Sequence, residues 1–209
     1  MLTLTGEKSE TSSLILASAS ETRHRLLLNS GVPHTVLPSN IDENQIKLKL
    51  QAENATADEI AGALATAKAT SVSNISPEKL VLGVDQVLEC NGAIFNKPRD
   101  LACAMEQLLA LRGKKHNLIS YAVVMFQSRC LWHGWDTASL TIRKDASDGF
   151  LSKYLKRVGN EACNGPGGYQ IESVGLQLFS QVQGDHFTIL GIPLLKILCF
   201  LRSRGFLET

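Results

Sequence analysis

Residues 80–98, LVLGVDQVLECNGAIFNKP, set a single carboxylate, Asp85, inside an apolar run and return a lysine, Lys97, beyond a turn. Aspartate is among the residues least suited to strands, so its place in a β-type stretch calls for a reason. Asn91-Gly92 predicts a tight hairpin turn, because both residues tolerate positive φ. Folding about it pairs Cys90 with Ala93, Leu88 with Phe95 and Gln86 with Lys97. Asp85 and Lys97 then reach the same edge of the hairpin, though on opposite pleats, so direct contact needs a bulge or twist. An acid and a base gathered at the end of an apolar strand suit an anionic substrate. A strand-end cap or half of a structural ion pair is the other reading.

Other groups could join that chemistry. Ser18-Ala19-Ser20 reads as a turn from a strand into a helix, whose exposed N–H groups and positive dipole end attract anions. Arg23, one turn in, could give a phosphate a bidentate contact. Asp42-Glu43 places hard oxygen ligands in a loop, suited to Mg²⁺ or Mn²⁺ when phosphates complete the shell, or else simply solvated. Lys68 ends an alanine-rich stretch, and Gln170 and Glu172 share one face of a predicted strand. His116 reads as a structural histidine rather than a base, and Trp132 and Trp135 as covers for the sheet rather than base-stacking platforms.

The elements that must position these groups follow from periodicity and punctuation. Short strands are predicted over residues 14–17 and 35–37, with a helix between them capped by Ser20 and closed by Asn29-Ser30-Gly31. A long helical region covers residues 46–73. A helix capped by Asp100 follows the hairpin. Two long strands, residues 117–126 and 131–142, are joined through Gln127-Ser128-Arg129. A helix over residues 148–158, the Gly165-Pro166-Gly167-Gly168 run, short strands near residues 169–171 and 176–179, and a last helix opened by Pro193 complete the chain. Strands and helices alternate while hairpins intervene, which predicts an α/β protein with a mixed, twisted sheet.

Composition excludes several classes. The chain has 209 residues, 44% hydrophobic and 20% charged, with net charge +1. No global field recruits nucleic acid or an anionic membrane, so any anion site must be built locally. The five cysteines form no Cys-x-x-Cys pair, which predicts reduced, mostly buried thiols, and the five histidines lack metal-ligand spacing. Residues 1–12 carry no signal-peptide core and read as a flexible tail, and residues 189–201 are too short and interrupted to cross a bilayer. A cytoplasmic protein with one domain over residues 13–209 is expected.

Taken in order, LASASETRHRLL, IDE, a helix ending in AKA, GVDQV with NKP, LRGKKH, GYQIESVG and GDHFTILGIPL resemble the Maf family of nucleoside triphosphate pyrophosphatases. The resemblance runs from Leu14 to Leu201. It implies an elongated, two-lobed fold like that of inosine triphosphatases, with a central nucleotide cleft. It also implies hydrolysis of a nucleoside triphosphate to the monophosphate and pyrophosphate, a house-cleaning role, and a divalent cation (Mg²⁺, Mn²⁺ or Co²⁺). By position, Asp85 matches the proton acceptor, and Ser18, Ser20, Arg23, Lys68 and Lys97 match the residues that contact the triphosphate, with Lys97 counted in the catalytic set. Glu43 matches the acidic residue that assists metal or water, so Glu43 and Asp85 are the implied metal ligands. The family often forms homodimers, while no residue pattern here specifies one.

Three positions separate branches of the family. The thymidine- and uridine-directed branch has Arg at the position of Thr22, Thr at Gln86 and Gln at Glu172, whereas the 7-methyl-GTP branch has the Asp-Gln pair and the glutamate found here. A methylated purine triphosphate is therefore expected, since a carboxylate can accept from guanine N1–H and N2–H₂ together. The chain departs from the family at Glu21, which replaces a proline, at Thr22, which matches neither branch, and at Ser173, which replaces a glycine. Pyrimidine or other non-canonical triphosphates, and a non-catalytic nucleotide-binding regulator of septum formation, are the alternatives.

Overall fold

The computed structural model describes residues 13–208, so the tail expected over residues 1–12 lies outside the described residues. Seven strands and seven α-helices alternate much as the sequence predicts. The strands are β1 (Leu14–Leu16), β2 (His34–Val36), β3 (Leu80–Cys90), β4 (Ala93–Phe95), β5 (Lys115–Phe126), β6 (Arg129–Ile142) and β7 (Phe179–Gln183). The helices are α1 (Glu21–Asn29), α2 (Glu43–Ala52), α3 (Ala57–Ile75), α4 (Leu101–Leu111), α5 (Asp148–Val158), α6 (His186–Ile189) and α7 (Leu194–Ser203). One mixed sheet runs β2-β1-β3-β5-β6-β7, with β4 on β3. β1 is parallel to both β2 and β3, while β4 on β3 and β7 on β6 are antiparallel. The mixed α/β expectation holds.

Contacts divide the chain into two compact units. Among the described residues the first takes residues 13–86, 120–136 and 186–208; the second takes residues 87–119 and 137–185. In the first unit the sheet is buried on both faces. Leu14 and Leu16, Leu82 and Val84, and Ala122 and Val124 join Leu27 of α1 and Ile197 and Leu201 of α7 in one core. The intervening Ile15 and Ala17, Val81, and Val123 and Met125 turn the other way, onto Ala65, Ala69 and Val72 of α3. Successive strand side chains alternate faces, so apolar runs of this kind fill two cores at once.

Gly83 sets how closely α3 approaches. A Cβ at this position would stand 2.2 Å from the Ala65 carbonyl oxygen and 2.7 Å from Ala69. No side chain fits there, so the helix backbone lies directly on β3.

Several elements differ from expectation. The helical stretch over residues 46–73 is two helices, because Asn54 turns left-handed at φ 56° and Thr56 starts α3 with a capping box closed by Glu59. Asp42 is not a loop carboxylate but the N-cap of α2, accepting from the Gln45 N–H. The strands expected near residues 169–171 and 176–179 are a turn and a short 3₁₀ helix, Val174–Leu178, so Gln170 and Glu172 share no pleat. Only β7 is extended there. Pro193 is the N-cap of α7 rather than its first residue, and α6 had no forecast. All five cysteines are free, but only Cys90 is buried, and Cys130 and Cys199 are exposed.

Candidate active site

The Asn91-Gly92 turn forms with φ of 52° and 83°, and the ladder pairs Leu88 with Phe95, Glu89 with Ile94 and Cys90 with Ala93, as the turn chemistry predicts. The register ends there, so Gln86 and Lys97 are not partners in it. The cation on Asp85 comes from a different element. Lys68 Nζ donates to Asp85 Oδ1 at 2.6 Å and lies 2.9 Å from Glu43 Oε1.

That arrangement follows from the packing of α3 on β3. Ala65, Lys68 and Ala69 occupy one helical face, and Gly83 and Asp85 occupy one pleat face. Because Gly83 admits the helix backbone, the lysine one turn along falls onto the carboxylate two residues along. Both groups are deeply buried, Lys68 at 6% and Asp85 at 4% exposure, whereas the Glu43 side chain is 42% exposed. Asp85 Oδ2 is buried without a hydrogen-bond partner. Buried acceptors are rarely left so, and this one is open to a donor from water or ligand.

Arg23 lies on the other face of the sheet, and it too is buried. Its Nε donates to the Gly191 carbonyl at 2.8 Å, and its Nη1 donates to Ser18 Oγ at 3.0 Å and to the Val84 carbonyl at 2.9 Å. These two nitrogens fasten the β1–α1 turn to β3 and to the 186–192 segment, so the phosphate contact expected of Arg23 falls to its Nη2. Burial pulls the Arg23 pKa below its ordinary value, and the Asp85 and Glu43 carboxylates oppose that pull. Ser18 Oγ also accepts from Ser20 N–H at 3.3 Å, and Ser20 Oγ caps α1 by accepting from Arg23 N–H at 3.4 Å. Thr22 is the second residue of α1 and is half-buried.

Gln86 has its amide nitrogen committed to the protein. Nε2 donates to the Thr188 and Ile189 carbonyls at 2.9 and 3.1 Å and to Ser120 Oγ at 3.2 Å, and Ser120 Oγ in turn donates to the Thr188 carbonyl at 2.8 Å. Gln86 thus ties down the segment whose Gly191 carbonyl holds Arg23. A base-reading role is left to its Oε1 alone.

The first unit gathers Ser18, Ser20, Thr22, Arg23, Glu43, Lys68, Asp85 and Gln86. Lys97, in the loop after β4, and Glu172 belong to the second unit, both with exposed side chains. Sequence reasoning missed Gly83, Ser120, Thr188 and Gly191. A glycine within an otherwise apolar strand was the available signal for the first, since it marks close backbone approach. The other three act through backbone carbonyls and a hydroxyl, which carry no signature.

His116 is the structural group expected. It is 1% exposed, its Nε2 is 2.9 Å from the Tyr169 hydroxyl, and burial lowers its pKa to about 4, with the Lys114 backbone raising it in part. Trp132 stacks on Phe200, as a sheet cover should. Trp135 is 46% exposed, and its ring lies nearly parallel to those of Tyr121 and His133 in a stacked arrangement. Among the described residues no group of three or more His, Cys, Asp or Glu could hold a metal. Asp85 and Glu43 would supply two carboxylates, already gathered about one cation, the Lys68 ammonium, at 2.6 and 2.9 Å, so they fit a hard divalent ion whose remaining ligands are phosphates and water. No helix among the described residues is long and apolar enough to cross a membrane.

Comparisons with known proteins identify a family for the chain. The profile of the family described as Maf-like protein matches residues 13–204. The chain is 42% identical to a nucleoside triphosphate pyrophosphatase of Roseobacter denitrificans, over 92% of this chain and 96% of that protein. It is 40% identical to a 7-methyl-GTP pyrophosphatase of Mesorhizobium japonicum, over 95% and 99%. A nucleoside triphosphate pyrophosphatase of Paramagnetospirillum magneticum is 43% identical over 91% and 98%.

Proposed function

This chain belongs to the Maf-like protein family, and from that premise we propose that it hydrolyses a nucleoside triphosphate to the monophosphate and pyrophosphate in the cytoplasm. One observation supports the reading most: a deeply buried carboxylate, Asp85, is held by a buried lysine while its second oxygen has no partner. Hydrolysis at the α-phosphorus needs an acceptor for the proton of the attacking water, and Oδ2, on a strand packed into the core, is our candidate for that acceptor.

The other residues supply charge and orientation. Negative charge develops on phosphoryl oxygens during the displacement, so preorganised cations do more here than a covalent nucleophile could. Lys68, Lys97 and the buried charge of Arg23 are the assigned cations. Ser18 and Ser20 hold the first turn of α1, whose N–H groups and dipole end face anions. Asp85 and Glu43 would hold a divalent ion (Mg²⁺, Mn²⁺ or Co²⁺), which when bound neutralises phosphate charge and orients the leaving pyrophosphate.

The preferred base is a 7-methylated or related purine, read by the exposed Glu172 carboxylate, with Gln86 Oε1 and Thr22 as lesser determinants. Two relatives named for 7-methyl-GTP stand at 40% identity, beside others named only for nucleoside triphosphates. Pyrophosphate release across canonical and modified triphosphates, with each metal, tests both levels for wild type beside Asp85→Asn. Loss of general-base catalysis lowers kcat by about 10²–10⁴-fold. Turnover that survives in Asp85→Asn would remove Asp85 from the chemistry, and turnover favouring pyrimidines would discard the purine assignment.

A further inference from the structure

Lys68 occupies the space between the two carboxylates that would hold a divalent ion. Its ammonium is 2.6 Å from Asp85 Oδ1 and 2.9 Å from Glu43 Oε1, and both of its contacts are charged. We propose that Lys68 is the resident counter-ion of the nucleotide-free site: it holds the cation position, keeps a free divalent ion out, and yields only when metal arrives with a triphosphate. This inference rests on the function proposed above and adds an order of events to it.

Charge balance carries the argument. Asp85 and Glu43 bring two negative charges, Lys68 in contact with them brings one positive charge, and the buried Arg23, on which the fields of both carboxylates act, brings a second. The site is already neutral. A divalent ion entering alone would add two positive charges to a buried, low-dielectric place in which the largest local charge governs every other group. A triphosphate reverses the balance by bringing about four negative charges, enough to accept the metal and to take over the ammonium. The chemistry of lysine fits the exchange, since a compact ammonium on a flexible four-carbon stem can leave two carboxylates for nearby phosphate oxygens without moving α3. The orphaned Oδ2 of Asp85 meanwhile stays available to water while Oδ1 is occupied.

The test is Mn²⁺ binding to the full-length, nucleotide-free protein, followed by electron paramagnetic resonance of the unbound ion. Lys68→Met should bind Mn²⁺ at least about ten-fold more tightly than wild type, because one full positive charge has been removed from contact distance. A non-hydrolysable α,β-methylene triphosphate should then improve Mn²⁺ affinity less in the variant than in wild type. Equal or weaker Mn²⁺ binding by Lys68→Met overturns the inference. Lys68→Gln, which keeps a donor to Asp85, repeats the comparison if the methionine variant does not fold. Pyrophosphate release by the same wild-type preparation separates the two levels: its absence strikes the proposed function, while turnover with unchanged Mn²⁺ affinity in the variants strikes only the counter-ion role.

Discussion

Gly83→Ala tests whether the approach of α3 to β3 sets the geometry of the site. The glycine φ lies outside the left-handed region, so the backbone itself accepts alanine and the whole penalty comes from contact. The new methyl would sit 2.2 Å from the Ala65 carbonyl oxygen and 2.7 Å from Ala69 Cβ and N. Those are backbone and core atoms, with no flexible end to swing aside. Ordinary contact distances require α3 to retreat by about 1 Å. Overpacking of this kind costs about 1–3 kcal/mol, offset by the roughly 0.4–1 kcal/mol that alanine gains by restricting the unfolded chain. A net loss of about 1 kcal/mol should lower the melting temperature by roughly 2–4 °C for a chain of this size. The same retreat lengthens the 2.6 Å Lys68–Asp85 contact, and displacement of about 1 Å at a catalytic group can lower turnover by about 10²-fold. Thermal unfolding and pyrophosphate release measure the two effects. Gly165→Ala is the control, because a Cβ there meets nothing within 4 Å. Wild-type stability and turnover in Gly83→Ala would refute the claim that this contact places Lys68 on Asp85.

Two further outcomes separate positioning from chemistry elsewhere. Gln86→Met keeps side-chain length but removes the donor from the Ile189 carbonyl, whereas Thr188 retains Ser120, so stability should fall by about 1–3 kcal/mol with little change in base ranking. Glu172→Gln should do the reverse, and a substrate ranking unchanged in Glu172→Gln would sink the carboxylate's role in base choice. His116 gives a pH signature. Its folded pKa is about 4 against an ordinary 6.5, so between those values the unfolded chain binds the extra proton and stability declines as pH falls from 6.5 towards 4. Urea unfolding at several pH values should show a loss of up to about 3 kcal/mol over that window in wild type, and a visibly shallower slope in His116→Gln. Parallel slopes would mean that His116 is not buried as a neutral ring.

The chain exposes its hairpin, its long strands and its capped helices in plain sequence signals. Asn91-Gly92 fixes φ at two residues, and that alone settles which of residues 88–90 face which of residues 93–95. Ser20 and Asp100 each cap a helix where expected. What the sequence hides is three-dimensional proximity between elements far apart in the chain. Lys68 and Asp85 belong to a helix and a strand, and nothing local joins them; only the missing Cβ of Gly83 does. The contacts of Arg23 were hidden for a related reason. One turn into a helix beside an anion-type turn, it looks like a phosphate ligand, yet carbonyls of Val84 and Gly191, from two distant segments, claim its donors. Glycine-rich and polar residues 165–178 gave an alternation that the folded segment does not keep, since Gly175 lies against the Gln170 backbone, where a Cβ would stand 2.1 Å from the carbonyl oxygen, and the chain doubles back instead of extending.

Two buried side chains in the described residues hold an unpartnered polar atom, Asp85 Oδ2 and His116 Nδ1, and only one of them reads as a base. The histidine has the bland solution. Burial drives its ring neutral, the Tyr169 hydroxyl engages its other nitrogen, and Tyr169 and Phe179 pack around it, so the remaining nitrogen leaves no charge uncompensated. Asp85 has no such way out. It is paired with an equally buried ammonium, and pairs of this kind add little to stability; apolar replacements of similar volume are often neutral or stabilising by about 1–4 kcal/mol. Every neighbouring position of β3 from Leu82 to Leu88, apart from Gly83 and Gln86, is already apolar, so packing alone would favour an aliphatic residue at position 85 too. A carboxylate, its lysine and an open acceptor oxygen set against that gradient are the support for the proposed role of Asp85 as the water's proton acceptor.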